Sequence, residues 1–206
     1  IELNNEHLPL ERTYSNNRGT KTIFIKQDIE NPILDVTFDG QRILNGDIVS
    51  ATPDIRIKLT DENIYLPLES VENFIVTLIN PKGEAIEVPS SELVFTSELS
   101  NNESSATIDY KPSLTDGNYS LLVSGKDNSN NESGRNYEVD FQVITKQMVS
   151  NITNYPNPFS TNTRFVFTLT GTIPDEMYIR IYTASGKVVK EIRKEELGVL
   201  HVGNNI

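Results

Sequence analysis

Few residues in this chain could do chemistry, and their types and spacing restrict what that chemistry could be. His7 and His201 are the only two histidines, and there is no cysteine. A zinc site needs more imidazole, thiolate or carboxylate ligands than two histidines in separate modules can bring together. Without cysteine there are no disulfides, thiolate metal sites or cysteine nucleophiles. No G-x-S-x-G elbow is present to expose a serine nucleophile. Asp35, Asp39, Asp47, Asp54, Asp61 and Glu62 form an acidic stretch. A glycosidase pair needs two carboxylates held at a fixed separation in a cleft, and these six read instead as solvated loop ends. Asp127-Asn128-Ser129-Asn130-Asn131-Glu132 places side-chain oxygens at alternate positions, loosely like a calcium loop. It lacks the loop's glycine at position six, where Glu132 stands, although Glu138 does fall at position twelve. A polar turn is the expectation there. Asn102, Asn118, Asn131 and Asn151 lie in N-x-S/T triplets, which a chain this rich in Asn and Ser produces by chance. No catalytic, cofactor-binding or metal-binding residue is therefore expected.

Charge narrows the partners. With 29 acidic against 18 basic residues the formal net charge is −11. A phosphate-binding face needs clustered Lys and Arg, so nucleic acid is not an expected partner, and an anionic membrane surface is equally disfavoured. No apolar run approaches the roughly 18 residues of a spanning helix, so direct membrane insertion is not expected. The first residues have neither the basic nor the apolar stretch of a signal peptide. Because Ile1 is not an initiator methionine, the chain reads as a piece of a longer protein.

The elements that must carry these residues read as β throughout. Residues 1–31 look like the tail of a preceding module, with one strand expected at Thr20–Ile25, where Ile23 and Ile25 share a face. From Pro32 to about Lys146, period-two patterns recur: Leu34/Val36/Phe38, Ile43-Leu44, Ile48-Val49, Ile55/Ile57/Leu59 and Phe74–Ile79. They continue through Ala85–Val88, Leu93–Phe95, Ala106–Tyr110, Tyr119–Val123 and Tyr137–Val143. Turn residues such as Asn80-Pro81-Lys82-Gly83 separate them. Short strands at this spacing imply a β-sandwich. Asp61–Asn73 reads as a long loop, or as a helical turn starting near Pro67. Residues 147–206 form the last module, entered through the connector Gln147–Asn151. Its strands bury Phe165, Phe167 and Leu169 on one side, and Met177, Ile179 and Ile181 on one side. Gly186 suits the left-handed position of a hairpin loop with a bulge, which sets Ile181 against Val189. Only about four strands are visible in this module, so it is expected to be an incomplete sandwich with an open edge. The fold class expected is all-β, as tandem Ig-like sandwiches.

The hexamer Asn154-Tyr155-Pro156-Asn157-Pro158-Phe159 carries the most information. Its two prolines fix φ and bar helix from the residues before them, so it must extend or turn. The strand Arg164–Leu169, the strand Met177–Tyr182, the turn Ala184-Ser185-Gly186-Lys187 and the strand Val188–Ile192 follow. This order resembles the C-terminal sorting domains of Bacteroidota proteins exported by the type IX secretion system, and the related Ig-like module of flagellar hook-capping proteins. Thr115-Asp116-Gly117-Asn118-Tyr119 and Ser124-Gly125-Lys126-Asp127 match a turn pattern of bacterial Ig-like modules. Val36–Gly40 with Ile43–Ser50 is similar to the module preceding the sorting domain in gingipain-like peptidases.

The resemblance implies a non-catalytic stalk or spacer followed by a signal recognised by the type IX outer-membrane translocon and its shuttle protein. A sortase is a further implied partner, and the implied location is the outer-membrane surface or the exterior, reached through the periplasm. The signal residues it implies are Asn154, Tyr155, Pro156, Asn157, Pro158, Phe159, Gly186 and Lys187. Two other readings stand beside it. One is an adhesin or carbohydrate-binding sandwich. The other is the tail of a gingipain-like cysteine peptidase or of the sortase, with its active site upstream.

Overall fold

The computed structural model describes residues 10–23, 27–100, 102–134 and 136–206. Nine strands form the first sandwich: β1 Ile33–Phe38, β2 Asp47–Val49, β3 Ile55–Asp61, β4 Phe74–Ile79, β5 Ala85–Glu87, β6 Leu93–Leu99, β7 Ser104–Tyr110, β8 Gly117–Gly125 and β9 Tyr137–Val143. They make two sheets, ordered β1-β3-β7-β6 and β2-β9-β8-β4-β5. All pairings are antiparallel except β2 with β9, which is parallel. The first order corresponds to A-B-E-D of an immunoglobulin sandwich. In the second, β9-β8-β4 corresponds to G-F-C, extended by β5 and by β2 on the two edges. The fold is thus all-β and Ig-like, as expected.

Alternation explains the core. Ile55, Ile57 and Leu59 on β3 are fully buried while Arg56 and Lys58 between them face solvent. Ala106 and Ile108 on β7 join them from the same sheet. Val76, Leu121, Val123, Val139, Phe141 and Val143 oppose them from the other. Only one face of each strand is apolar, so a modest apolar content suffices to fill the space between two sheets.

One side chain fastens the lower corner of this sandwich. The Tyr119 Oη donates to the Thr115 carbonyl at 3.1 Å and accepts from the Thr115 N–H at 3.2 Å. Its ring stacks on Phe141 with centroids 5.6 Å apart. This is the tyrosine corner of Ig sandwiches, a Tyr near the start of strand F bonded back to upstream backbone. Tyr119→Phe keeps the stacking but orphans both Thr115 groups. It should cost about 1–3 kcal/mol, read as a lower urea midpoint with unchanged slope; an unchanged midpoint would count against the corner.

Several local expectations need correction. Ile43-Leu44 is not a strand: Leu44 is exposed, and its N–H is capped by Asp47 Oδ2 at 2.9 Å. The 61–73 segment is a loop, but its helical turn is a 3-10 turn at Val71–Asn73 rather than one starting near Pro67. Leu68 in that loop is fully buried and donates its N–H to Ser104 Oγ at 2.8 Å. Of the strand expected at Thr20–Ile25, Thr20–Ile23 have no strand conformation and Ile23 is exposed. Phe24, Ile25 and His7 lie outside the described residues.

The second module contains β10 Met148–Tyr155, β11 Arg164–Thr170, β12 Tyr178–Tyr182, β13 Val188–Arg193 and β14 Gly203–Asn205. One sheet runs β10-β11-β14, and β12-β13 is a separate hairpin. Phe167, Leu169 and Leu200 form its buried centre, flanked by Phe165, Met177, Ile179 and Leu197. The inward residues of β11 and β12 are those the alternation predicts. There are five strands rather than four, and the connector Met148–Asn151 is itself part of β10. Asn151 sits at φ +53 within a bulge between Ser150 and Thr153. The two modules meet where β14 passes β2. Gly203 has φ +105, and a Cβ there would lie 2.7 Å from the Ile48 carbonyl oxygen, so only glycine permits this approach. Nearby, Gln41 Nε2 and His201 Nδ1 are 3.1 Å apart.

Candidate recognition site

The proline hexamer begins on an edge strand and ends in a loop. Asn154 and Tyr155 are the last residues of β10, paired with Phe165 and Arg164 of β11. Residues 156–163 then turn back. Thr163 holds the turn closed: its Oγ1 donates to the Pro156 carbonyl at 2.9 Å and accepts from Asn154 Nδ2 at 3.3 Å. Both X–Pro bonds of the hexamer are cis. With the backbone tied this way, the aromatic rings are left outside. Tyr155 is 73% and Phe159 53% exposed. Among the described residues β10 has a strand neighbour on one side only, so its other edge presents unpaired main-chain N–H and C=O groups.

Gly186 and Lys187 are at the tip of the β12-β13 hairpin. Gly186 has φ +84, as the turn demands. The Thr183 N–H donates to the Lys187 carbonyl at 2.8 Å, and the Gly186 N–H to the Thr183 carbonyl at 3.0 Å. Thr183 Oγ1 accepts from the Lys187 N–H at 3.1 Å. The register differs from expectation. Ile181 pairs with Lys190 and Tyr182 with Val188, leaving Val189 as the bulge residue. The bulge itself is as expected, but it falls at Val189, so Ile181 pairs one residue further along. Among the described residues no hydrogen bond joins this tip to the 154–159 turn. The eight signal residues therefore form two separate exposed loops on one small module.

A third exposed feature was not singled out from the sequence. Tyr178, Arg180 and Tyr182 alternate with the inward Ile179 and Ile181, and all three face outward. The Arg180 guanidinium is 4.3 Å from the Tyr178 ring centroid, and its Nε donates to Glu191 Oε2 at 2.7 Å. That bond holds the Glu191 carboxyl below its usual range and Arg180 above its own. Period-two reading of Tyr178–Tyr182 does find these positions, because the residues opposite the buried face must form a row.

No family model matches the chain, and no curated protein matches it. Among solved structures, it is similar to dimeric latent PorU from Porphyromonas gingivalis. Identity is 21% and the TM-score 0.41, over 81% of this chain and 15% of that one. It is also similar to a DUF4466 family protein from Parabacteroides merdae ATCC 43184, at 12% identity and a TM-score of 0.33. That match spans 82% of this chain and 57% of the other.

Proposed function

We propose that this chain is a non-catalytic part of an exported surface protein. The first sandwich serves as a stalk, and the second module is recognised by a type IX outer-membrane translocon and its shuttle protein. One observation carries the reading: an open β-edge ends in a tied turn that displays Tyr155 and Phe159. It is followed by the two strands and the Gly186 hairpin, in the order that the sorting-domain resemblance requires. Strand addition at β10 would supply main-chain hydrogen bonds, and the two rings would supply apolar anchors for specificity. The reading assigns no reaction to this chain; a sortase would act on such a protein after export.

Secretion of a periplasmic reporter tests this. The full chain is fused behind the reporter and expressed in a type IX-competent host. Expected is reporter at the cell surface or in the medium, absent in a translocon-deficient strain. The double variant Tyr155→Asp/Phe159→Asp should reduce export by roughly tenfold, the scale of losing one or two exposed apolar anchors. A reporter that stays periplasmic in the competent host would overturn the proposal. The outward Tyr178–Arg180–Tyr182 row favours a second reading, a carbohydrate-binding module that stacks sugar rings. Saturable glycan binding lost in Tyr178→Ala, with unaltered export, would decide for it.

A further inference from the structure

We propose that Asp28, Asp61 and Asp127 hold a single calcium ion. The three come from different parts of the chain: the segment before β1, the last residue of β3 and the second residue after β8. Each offers one carboxylate oxygen, and these oxygens all lie within 4.8 Å of one another. Three oxygens spaced by up to 4.8 Å have a common centre no more than about 2.8 Å from each, so a shift of a few tenths of an ångström brings all three to calcium's 2.3–2.6 Å.

Burial makes this more than a group of acids. Asp61 is 3% and Asp127 2% exposed. Asp61 Oδ2 is fully shielded and has no hydrogen-bond partner. A buried carboxylate oxygen without a partner is costly unless something positive meets it. None of the ion pairs among the described residues reaches Asp61 or Asp127. Burial above all, and then the charges of Asp127 and Asp28, hold the Asp61 carboxyl above its usual range, against main-chain N–H donors that work the other way.

The surroundings aim the other two acids. Asp127 Oδ1 accepts the N–H groups of Ser129 and Asn131 at 2.8 and 2.7 Å, and its Oδ2 accepts from Asn131 Nδ2 at 2.7 Å. Asp28 Oδ2 accepts from Asn63 Nδ2 at 2.6 Å and from Ser129 Oγ at 3.3 Å. The donors on Asp127 are neutral, so they orient its carboxylate without bringing a full charge. The cluster is all oxygen, with neither imidazole nor thiolate, which selects a hard cation over zinc. Magnesium bonds at 2.0–2.1 Å in near-ideal octahedra and keeps several waters, so a set of three protein carboxylates favours calcium. Second carboxylate oxygens and water would complete the shell. The 127–132 turn forms as its sequence suggests, and its ligand partners come from distant parts of the chain instead of from its own later positions. Bound calcium would fasten the segment before β1 to the ends of β3 and β8.

The test uses the full chain stripped with chelator. Calcium is expected to give a saturable one-site heat and to raise the melting midpoint by roughly 5 °C or more at ~100-fold excess over Kd. Magnesium at the same concentration should leave the midpoint where chelator leaves it. Asp61→Asn is nearly isosteric and should weaken calcium binding by at least about tenfold, because ligand charge sets affinity in such sites. Its midpoint in chelator should be equal to or above that of the parent, since a buried charge is gone. If Asp61→Asn does not fold, Asp28→Asn, on the half-buried segment outside the sheets, should show the same loss of affinity. The proposal fails if no saturable heat appears, if magnesium matches calcium, or if the folded variants bind as the parent does. None of these results depends on whether the chain is exported.

Discussion

Phe141→Ala should destabilise the first sandwich by about 3–5 kcal/mol, the range for deleting a buried aromatic ring. Phe141 is 2% exposed and central to the contact between sheets. It meets Phe38 edge-on with centroids 5.3 Å apart, and Tyr119 face-on. Truncation would leave a cavity lined by side chains from both sheets, and these cannot collapse without moving strands held in register by β8 and β2. It would also unseat the ring that keeps the Tyr119 hydroxyl at Thr115, so the corner and the core should weaken together. Total stability of a domain is about 5–15 kcal/mol, so this one change could remove a third or more of it. With no tryptophan in the chain, urea unfolding is best followed by circular dichroism or tyrosine emission. Phe159→Ala removes the same ring from an exposed turn and should shift stability by no more than about 0.5 kcal/mol. Equal costs for the two substitutions would show that burial is not what holds the sandwich.

Leu169→Ala should have the second largest effect, and a more local one. The second module buries only Phe167, Leu169 and Leu200, with four partly buried neighbours around them. Leu169 is 1% exposed and pairs across to Gly203 of β14 and Val149 of β10. Its loss should cost about 2–5 kcal/mol, comparable to everything a core this small supplies. The expected result is a chain whose first sandwich remains folded while residues beyond about 147 become open to protease. Hydrogen exchange would show the same division, with protection kept in β3, β7 and β8 and lost in β10 and β11. Wholesale unfolding, or unchanged resistance throughout, would contradict two separate cores. If the second module is what a translocon reads, the same variant should also lose export.

Much of this protein follows from the order of its residues alone. Strict alternation in Ile55–Leu59 and Tyr137–Val143 dictates strands with one buried face, and two such faces make a sandwich. Proline at 156 and 158 dictates an end to β10, and Gly186 a left-handed turn between β12 and β13. These are local constraints of sterics and periodicity, and they need no knowledge of the rest of the chain. β14 is different. Gly-Asn-Asn has poor strand propensity, and it becomes a strand only because β11 offers an edge and the Asn205 side chain bonds the His201 backbone through both its oxygen and its nitrogen. The exact position of the bulge, at Val189, and the route of β10 through Met148–Asn151 are likewise settled by the neighbouring strands. The acids show the limit most clearly. Asp61 looks like one more solvated loop end, and nothing in its neighbours along the chain distinguishes it from Asp35 or Asp47. Folding buries it beside Asp28 and Asp127, residues 33 positions before it and 66 after by their numbers. Proximity across such separations is a property of how sheets stack, and only the folded chain expresses it.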